Sequence, residues 1–202
     1  PVGALLGLRR WPIVVQLVGT VFLLNLSQLG LQSVWVLYTE YRYGWHPKQV
    51  AFSLAIVGLL AAVVQGGLVR RIIPALGERK SLLLGLCSSF CAQICYGLST
   101  QGWMIYTVLS LGMLQYIGYP ALQGIISRHV PPNEQGGVQG TLSSVQNLAG
   151  ILAPPLATGL FGFFIGKEAP IHLPGAPFFA GALMVGTALI LALRAMKRNQ
   201  VA

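Results

Sequence analysis

Long apolar runs, separated by short polar stretches, recur six times along the chain. A helix needs about 20 apolar residues to cross the hydrocarbon core of a bilayer, and six runs approach or exceed that length, near 12–39, 49–69, 81–98, 103–126, 137–165 and 176–193. None alternates with the period of two that a barrel strand would show. A backbone in lipid must also satisfy its own polar groups, so each run is read as a helix. The expected fold class is an all-α membrane protein with six transmembrane helices. Composition agrees: 54% of the 202 residues are hydrophobic and 8% are charged, against about 25% charged in soluble domains.

The net charge of +9 does not point to nucleic acid, because the basic residues sit at the ends of apolar runs and line no common face. They report topology instead. With the first span starting inside, the inner segments hold Arg9, Arg10, Arg70, Arg71, Arg79, Lys80, Arg128, Arg194, Lys197 and Arg198, and the outer ones only Arg42, Lys48 and Lys167. By the positive-inside rule both termini are expected in the cytoplasm. The aromatic group Trp35, Tyr38, Tyr41, Tyr43 and Trp45 then falls at the outer interface, where amphipathic rings anchor helix ends. The chain opens at Pro1 with neither Met nor leader pattern, and is expected to be a segment of something longer.

Polar residues inside the spans form stripes. Asn25, Gln28 and Gln32 recur at helical spacing on the first span, and Gln65 lies late on the second. Gln115, Tyr119 and Gln123 recur every four residues on the fourth, while Gln139, Ser143 and Gln146 share a face of the fifth with Gly150. Single amides of this kind often only bond neighbouring helices. Amides on four spans favour a wet cavity for an uncharged polar solute. All ten residues other than Gly150 are therefore candidates for contact with a small-molecule substrate, with aromatic packing added by Tyr119.

No span carries a carboxylate, Lys, Arg or His; Glu40, Glu78, Glu134 and Glu168 all fall in loops or at their edges. A proton-driven carrier needs a membrane-embedded group that titrates, so either coupling lies elsewhere or nothing is pumped. Cys87, Cys91 and Cys95 share one face of the third span, but Leu86, Phe90 and Ile94 give thiolates no support, and small-residue packing is expected there, not a metal site. G-x-S-x-G, H-E-x-x-H and P-loop patterns are absent, so neither an enzyme nor a cofactor is expected.

Two further stretches stand apart. "GILAPPLATG" (150–159) sets Pro154 and Pro155 between glycines in the fifth span, where lost helix bonds predict a kink, either a static bend or a hinge. In "SRHVPPNEQGGVQG" (127–140), Pro131 and Pro132 end the fourth span, Asn133 is expected to cap the fifth, and Glu134 to lie in its first turn. Gly136, Gly137 and Gly140 leave the following N–H groups bare, which suits an anion.

The loops carry a resemblance. "GLVRRIIPALGERKSLLLG" (67–85) is similar to the second-half copy of the major facilitator superfamily loop motif Gly-x-x-x-Asp-Arg-x-Gly-Arg-Arg/Lys: Gly77, Arg79 and Lys80 match its end, whereas Pro74 and Arg70 stand where its Asp and first Gly would be. "WVLYTEYRYGW" (35–45), "LGERKSLLLG" (76–85) and "GYPALQGIISRHVPPNEQGGVQG" (118–140) together resemble the carboxy-terminal half of tetracycline-resistance exporters and related drug/proton antiporters. The similarity runs from about residue 8 to the end.

This resemblance implies a twelve-helix fold of two six-helix bundles, with residues 1–202 as the second and the missing amino-terminal half as its partner. It places the proton-coupling acids mainly in the first bundle and the substrate at the midplane between the two. The first, second, fourth and fifth spans correspond to cavity-lining helices, the third and sixth to supports facing lipid. An acidic loop of the first half would dock on the bare start of the fifth span, making Arg128, Glu134, Gly136 and Gly140 the expected cytoplasmic gate. The implied function is efflux of a small amphipathic drug such as tetracycline in exchange for protons, across a bacterial inner membrane. An uptake carrier for a metabolite and a non-transporting membrane scaffold are the alternatives.

Overall fold

The structure, a computed structural model, describes residues 12–198; the expectations for Arg9 and Arg10 lie outside them. The first span is one helix, α1 (Pro12–Tyr43), ended by Gly44 at φ 64°, whose N–H donates to the Glu40 carbonyl at 2.9 Å. Such a φ strains any residue with a Cβ, so glycine is the residue that can turn the chain here. Pro47 opens α2 (Pro47–Val63), and the His46 N–H just before it is capped by Gln49 Oε1 at 2.9 Å.

The second span continues as a wide π turn, Val64–Leu68, and then α3 (Val69–Leu76). The turn carries Gly66 and Gly67, which tolerate the loosened backbone. After Gly77, again at positive φ, comes α4 (Glu78–Leu98). The fourth span has three pieces: α5 (Gly102–Leu111), a 3₁₀ stretch Gly112–Ile117, and α6 (Gly118–Arg128). Pro120 explains the break, because its ring crowds the Tyr116 carbonyl four residues back and it offers no N–H. Ser88 of α4 donates to the Gly112 carbonyl at 3.3 Å, where the tighter winding begins.

The fifth span is α7 (Gln135–Ile165), which runs unbroken through Pro154 and Pro155. Thr158 Oγ1 donates to the Pro154 carbonyl at 2.7 Å. The expected cap falls one residue late: Glu134, not Asn133, occupies the N-cap position, and it makes no side-chain cap bond. Pro131 and Glu134 close a turn through a 2.9 Å backbone bond, which shifts the helix start past Asn133. The sixth span is α8 (Ala176–Arg198). Among the described residues five helices are long and apolar enough to span a membrane unaided; the broken fourth span is the sixth crossing.

Spans α1, α4, α7 and α8 form the packed part of the bundle. Glycines set several crossings: a Cβ on Gly85 would lie 2.5 Å from Gly118 Cα, and one on Gly175 would lie 2.4 Å from the Gly97 carbonyl oxygen. Small residues of this kind let helices approach where the hydrophobic effect drives little. Two apolar clusters fill the ends. One gathers Val14, Leu17, Leu82, Leu122, Ile126, Leu142 and Val185; the other gathers Trp35, Tyr38, Trp45, Tyr96, Ile105, Phe161 and Phe178. On α1 the first cluster ends at Val21 and the second begins at Val34, and the polar residues lie between.

Candidate functional site

That middle layer is a cavity. It has a volume of about 420 Å³ and is lined by Leu24, Asn25, Gln28, Gln32, Gln65, Gly85, Leu86, Ser89, Gln115, Tyr116, Gly118, Tyr119, Pro120 and Gln146. Five spans contribute. α1 can present Asn25, Gln28 and Gln32 together because residues three, four and seven apart share a helix face. The π turn carries Gln65, and the 3₁₀ stretch that packs against it carries Gln115 and Tyr116. Each irregular segment thus brings one of the amides to the chamber.

A second cavity of about 310 Å³ adjoins the first, sharing Gln28, Gln32, Gln115 and Tyr116, and extends toward Trp35, Tyr96 and Leu109 in the aromatic cluster. Trp35 Nε1 donates to Ser53 Oγ at 3.1 Å, which ties α1 to α2 beside this space. The two chambers therefore lie in series along the bundle axis.

Among the described residues, none that is charged lines either space. Recognition here would rest on neutral hydrogen bonds and apolar contact, with no fixed ion to demand a counter-charge. Tyr119 is the center of a local network: its hydroxyl oxygen accepts a bond from Gln123 Nε2 at 2.9 Å and another from Gln146 Nε2. Asn25 instead donates to the Val21 carbonyl of its own helix at 2.8 Å.

Seven of the ten polar candidates line the larger cavity: Asn25, Gln28, Gln32, Gln65, Gln115, Tyr119 and Gln146. The other three do not. Gln123 reaches it only through Tyr119, while Gln139 and Ser143 lie exposed on α7, nearer its start. The third span does more than the support role expected of it, since Gly85, Leu86 and Ser89 form part of the wall. Its sequence hid this because a glycine and a serine leave no amide stripe. α8 lends no residue to the wall and packs against α1 and α4.

Cys87, Cys91 and Cys95 are all exposed on the outward side of α4, not packed as expected. No group of three or more candidate metal ligands occurs among the described residues. Of the expected gate residues, Arg128 Nε pairs with Glu78 Oε1 at 3.0 Å, joining α6 to the start of α4. Gly124 makes room for that carboxylate, as a Cβ there would stand 2.6 Å from Glu78 Oε1. Glu134, Gly136 and Gly140 are exposed, and a Cβ on either glycine would meet nothing within 4 Å.

The sequence of the chain is similar to that of known proteins. The profile of the Major Facilitator Superfamily matches residues 2–154. The tetracycline resistance protein, class G, of Vibrio anguillarum is 36% identical over 140 residues, covering 69% of this chain and 36% of that protein. The class B protein of Escherichia coli is 40% identical over 124 residues, 61% of this chain and 31% of its own length. The human hippocampus abundant transcript-like protein 1 is 29% identical over 188 residues, 86% of this chain and 37% of its own length. The chain thus spans well under half of the curated relatives it matches. A profile match over most of the chain, on an all-α bundle of membrane-spanning helices around a polar chamber, means that the chain belongs to the major facilitator superfamily of membrane transporters.

Proposed function

We propose that this chain is the carboxy-terminal six-helix half of a proton-coupled efflux carrier for a small amphipathic drug of the tetracycline kind. The observation that carries this reading is the uncharged, amide-lined chamber between two apolar clusters. Such a chamber can hold a polar, uncharged face of a cargo molecule and has no titratable acid of its own, so the proton site falls to an amino-terminal half. The similarity to the class G and class B tetracycline resistance proteins supports the choice of cargo. The outward faces of the second and fifth spans support the missing half: Phe52, Leu59, Leu148 and Ile151 are exposed there. The similarity to the bacterial tetracycline resistance proteins supports a bacterial inner membrane, and the charge distribution supports both termini in the cytoplasm.

In the same reading, the bare first turn of α7 around Gly136 and Gly140 receives an acidic loop of the amino-terminal half when the inner side closes. Arg128, held by Glu78, and Glu134 flank that contact. The test is energy-dependent tetracycline efflux from cells that express this chain with an amino-terminal six-span half. Efflux that collapses with the proton gradient is expected. Absence of efflux for tetracycline and other amphipathic drugs overturns the exporter reading, and inward flux of a metabolite would make the protein an uptake carrier instead. Gly136→Leu with Gly140→Leu is expected to raise labelling of the chamber from the cytoplasmic side, and unaltered labelling would remove the latch.

A further inference from the structure

The hydroxyl of Tyr119 accepts bonds from two amides, Gln123 Nε2 on its own helix and Gln146 Nε2 on α7. A phenol has two lone pairs for accepting and one proton for donating. Both acceptor sites are filled, so the proton is what remains. Among the described residues no protein acceptor takes it. The two amide bonds hold the oxygen in position and draw electron density from it, which strengthens the O–H as a donor.

Tyr119 and Gln146 both line the larger chamber. Gln28, Gln32 and Gln115 can each turn to donate or accept, because an amide carries both functions. Tyr119 differs, having only a donor to give. An unmatched donor in a low-dielectric site is costly, and a cargo that supplies an acceptor there is selected over one that does not. Leu24, Leu86, Tyr116 and Pro120 supply apolar surface around it.

We propose that the Tyr119 hydroxyl is the specificity-determining hydrogen-bond donor of the chamber, and that it selects cargo bearing a carbonyl or enolate oxygen on a mainly apolar body. This rests on the reading of the chamber as the cargo site. The experiment measures tetracycline uptake into inverted vesicles holding the chain with an amino-terminal half, for wild type, Tyr119→Phe and Gln123→Leu, with tetracycline and analogues that each lack one oxygen substituent of the ring system. Tyr119→Phe keeps the ring and removes the donor. It is expected to raise KM for tetracycline roughly three- to tenfold, the worth of one neutral hydrogen bond, with turnover changed less than about twofold.

One analogue should already be weak for wild type and lose nothing further in Tyr119→Phe. An unchanged KM overturns the proposal. So does an equal penalty for every analogue that Gln123→Leu reproduces, since that marks a tyrosine that only clamps the two amides. Wild-type vesicles that take up no tetracycline overturn the cargo assignment instead, and the donor is then decided by Raman spectroscopy of the purified protein. In the wild-type minus Tyr119→Phe difference spectrum, the tyrosine Fermi doublet should show an oxygen that accepts hydrogen bonds. A donor-only doublet overturns the proposal without any cargo.

Discussion

Gly85 and Gly118 look interchangeable in the sequence, yet the structure makes them unequal. A Cβ on Gly85 points into the partner backbone at 2.5 Å, whereas one on Gly118 finds its nearest atom at an ordinary 3.5 Å. Gly85→Ala is therefore expected to cost about 1–3 kcal/mol through forced helix separation. Gly118→Ala should be neutral or slightly stabilising, as alanine favors the helix. Thermal midpoints of the two variants in detergent check this asymmetry. At the other end of α6, Gly124→Ala and Glu78→Gln both disturb the same ion pair. Arg128 is largely exposed, so each change is expected to cost less than about 1 kcal/mol. Because they share one interaction, the double variant should be no less stable than the weaker single one, and a sum of the two losses would contradict the pairing.

The elements explain which polar residues could be placed from sequence and which could not. Asn25, Gln28 and Gln32 sit on an uninterrupted helix, so regular spacing put them on one wall. Gln115 lies inside the 3₁₀ stretch and Tyr119 and Gln123 on α6 beyond it, so the two or three tighter-wound residues between them, each turned about 20° further than in an α-helix, offset Gln115 from the other two by about 40–60°. Gln115 and Tyr119 still both reach the wall, while Gln123, one turn further toward the end of α6, meets it only through the Tyr119 hydroxyl. Gly112, Gly118 and Pro120 were the visible signal of the break, but they do not state where the winding changes. Pro120→Ala is expected to let α5 and α6 join and to carry Gln115 away from the chamber. A cysteine at Gln115 should then lose its reaction with a water-soluble maleimide, which it should show in the parent protein. In α7 the prolines leave the helix continuous, so Pro154→Ala with Pro155→Ala tests movement directly: lowered transport is expected of a hinge, and unchanged transport removes that role.

For the molecule as a whole, the long apolar helices were legible because a bilayer imposes length and hydrophobicity on sequence. The layering of two apolar clusters around a polar middle was not, since it depends on which helices touch. The third span shows the difference: its cavity face is Gly85, Leu86 and Ser89, which carry no marker, while its conspicuous Cys87, Cys91 and Cys95 face outward. A cysteine introduced at Gln146 should accordingly react with a water-soluble reagent, whereas the three native thiols should favor a lipid-soluble one; the reverse order would contradict the orientation of α4. That native row has a practical meaning. Its members are four residues apart on a straight helix, so they climb about 6 Å per step and 12 Å in all. With all but one removed in turn, each thiol labelled by a fluorophore becomes a mark at a fixed height, and quenching by lipids brominated at known depths turns α4 into a ruler for how the bundle sits in, and shifts through, the bilayer.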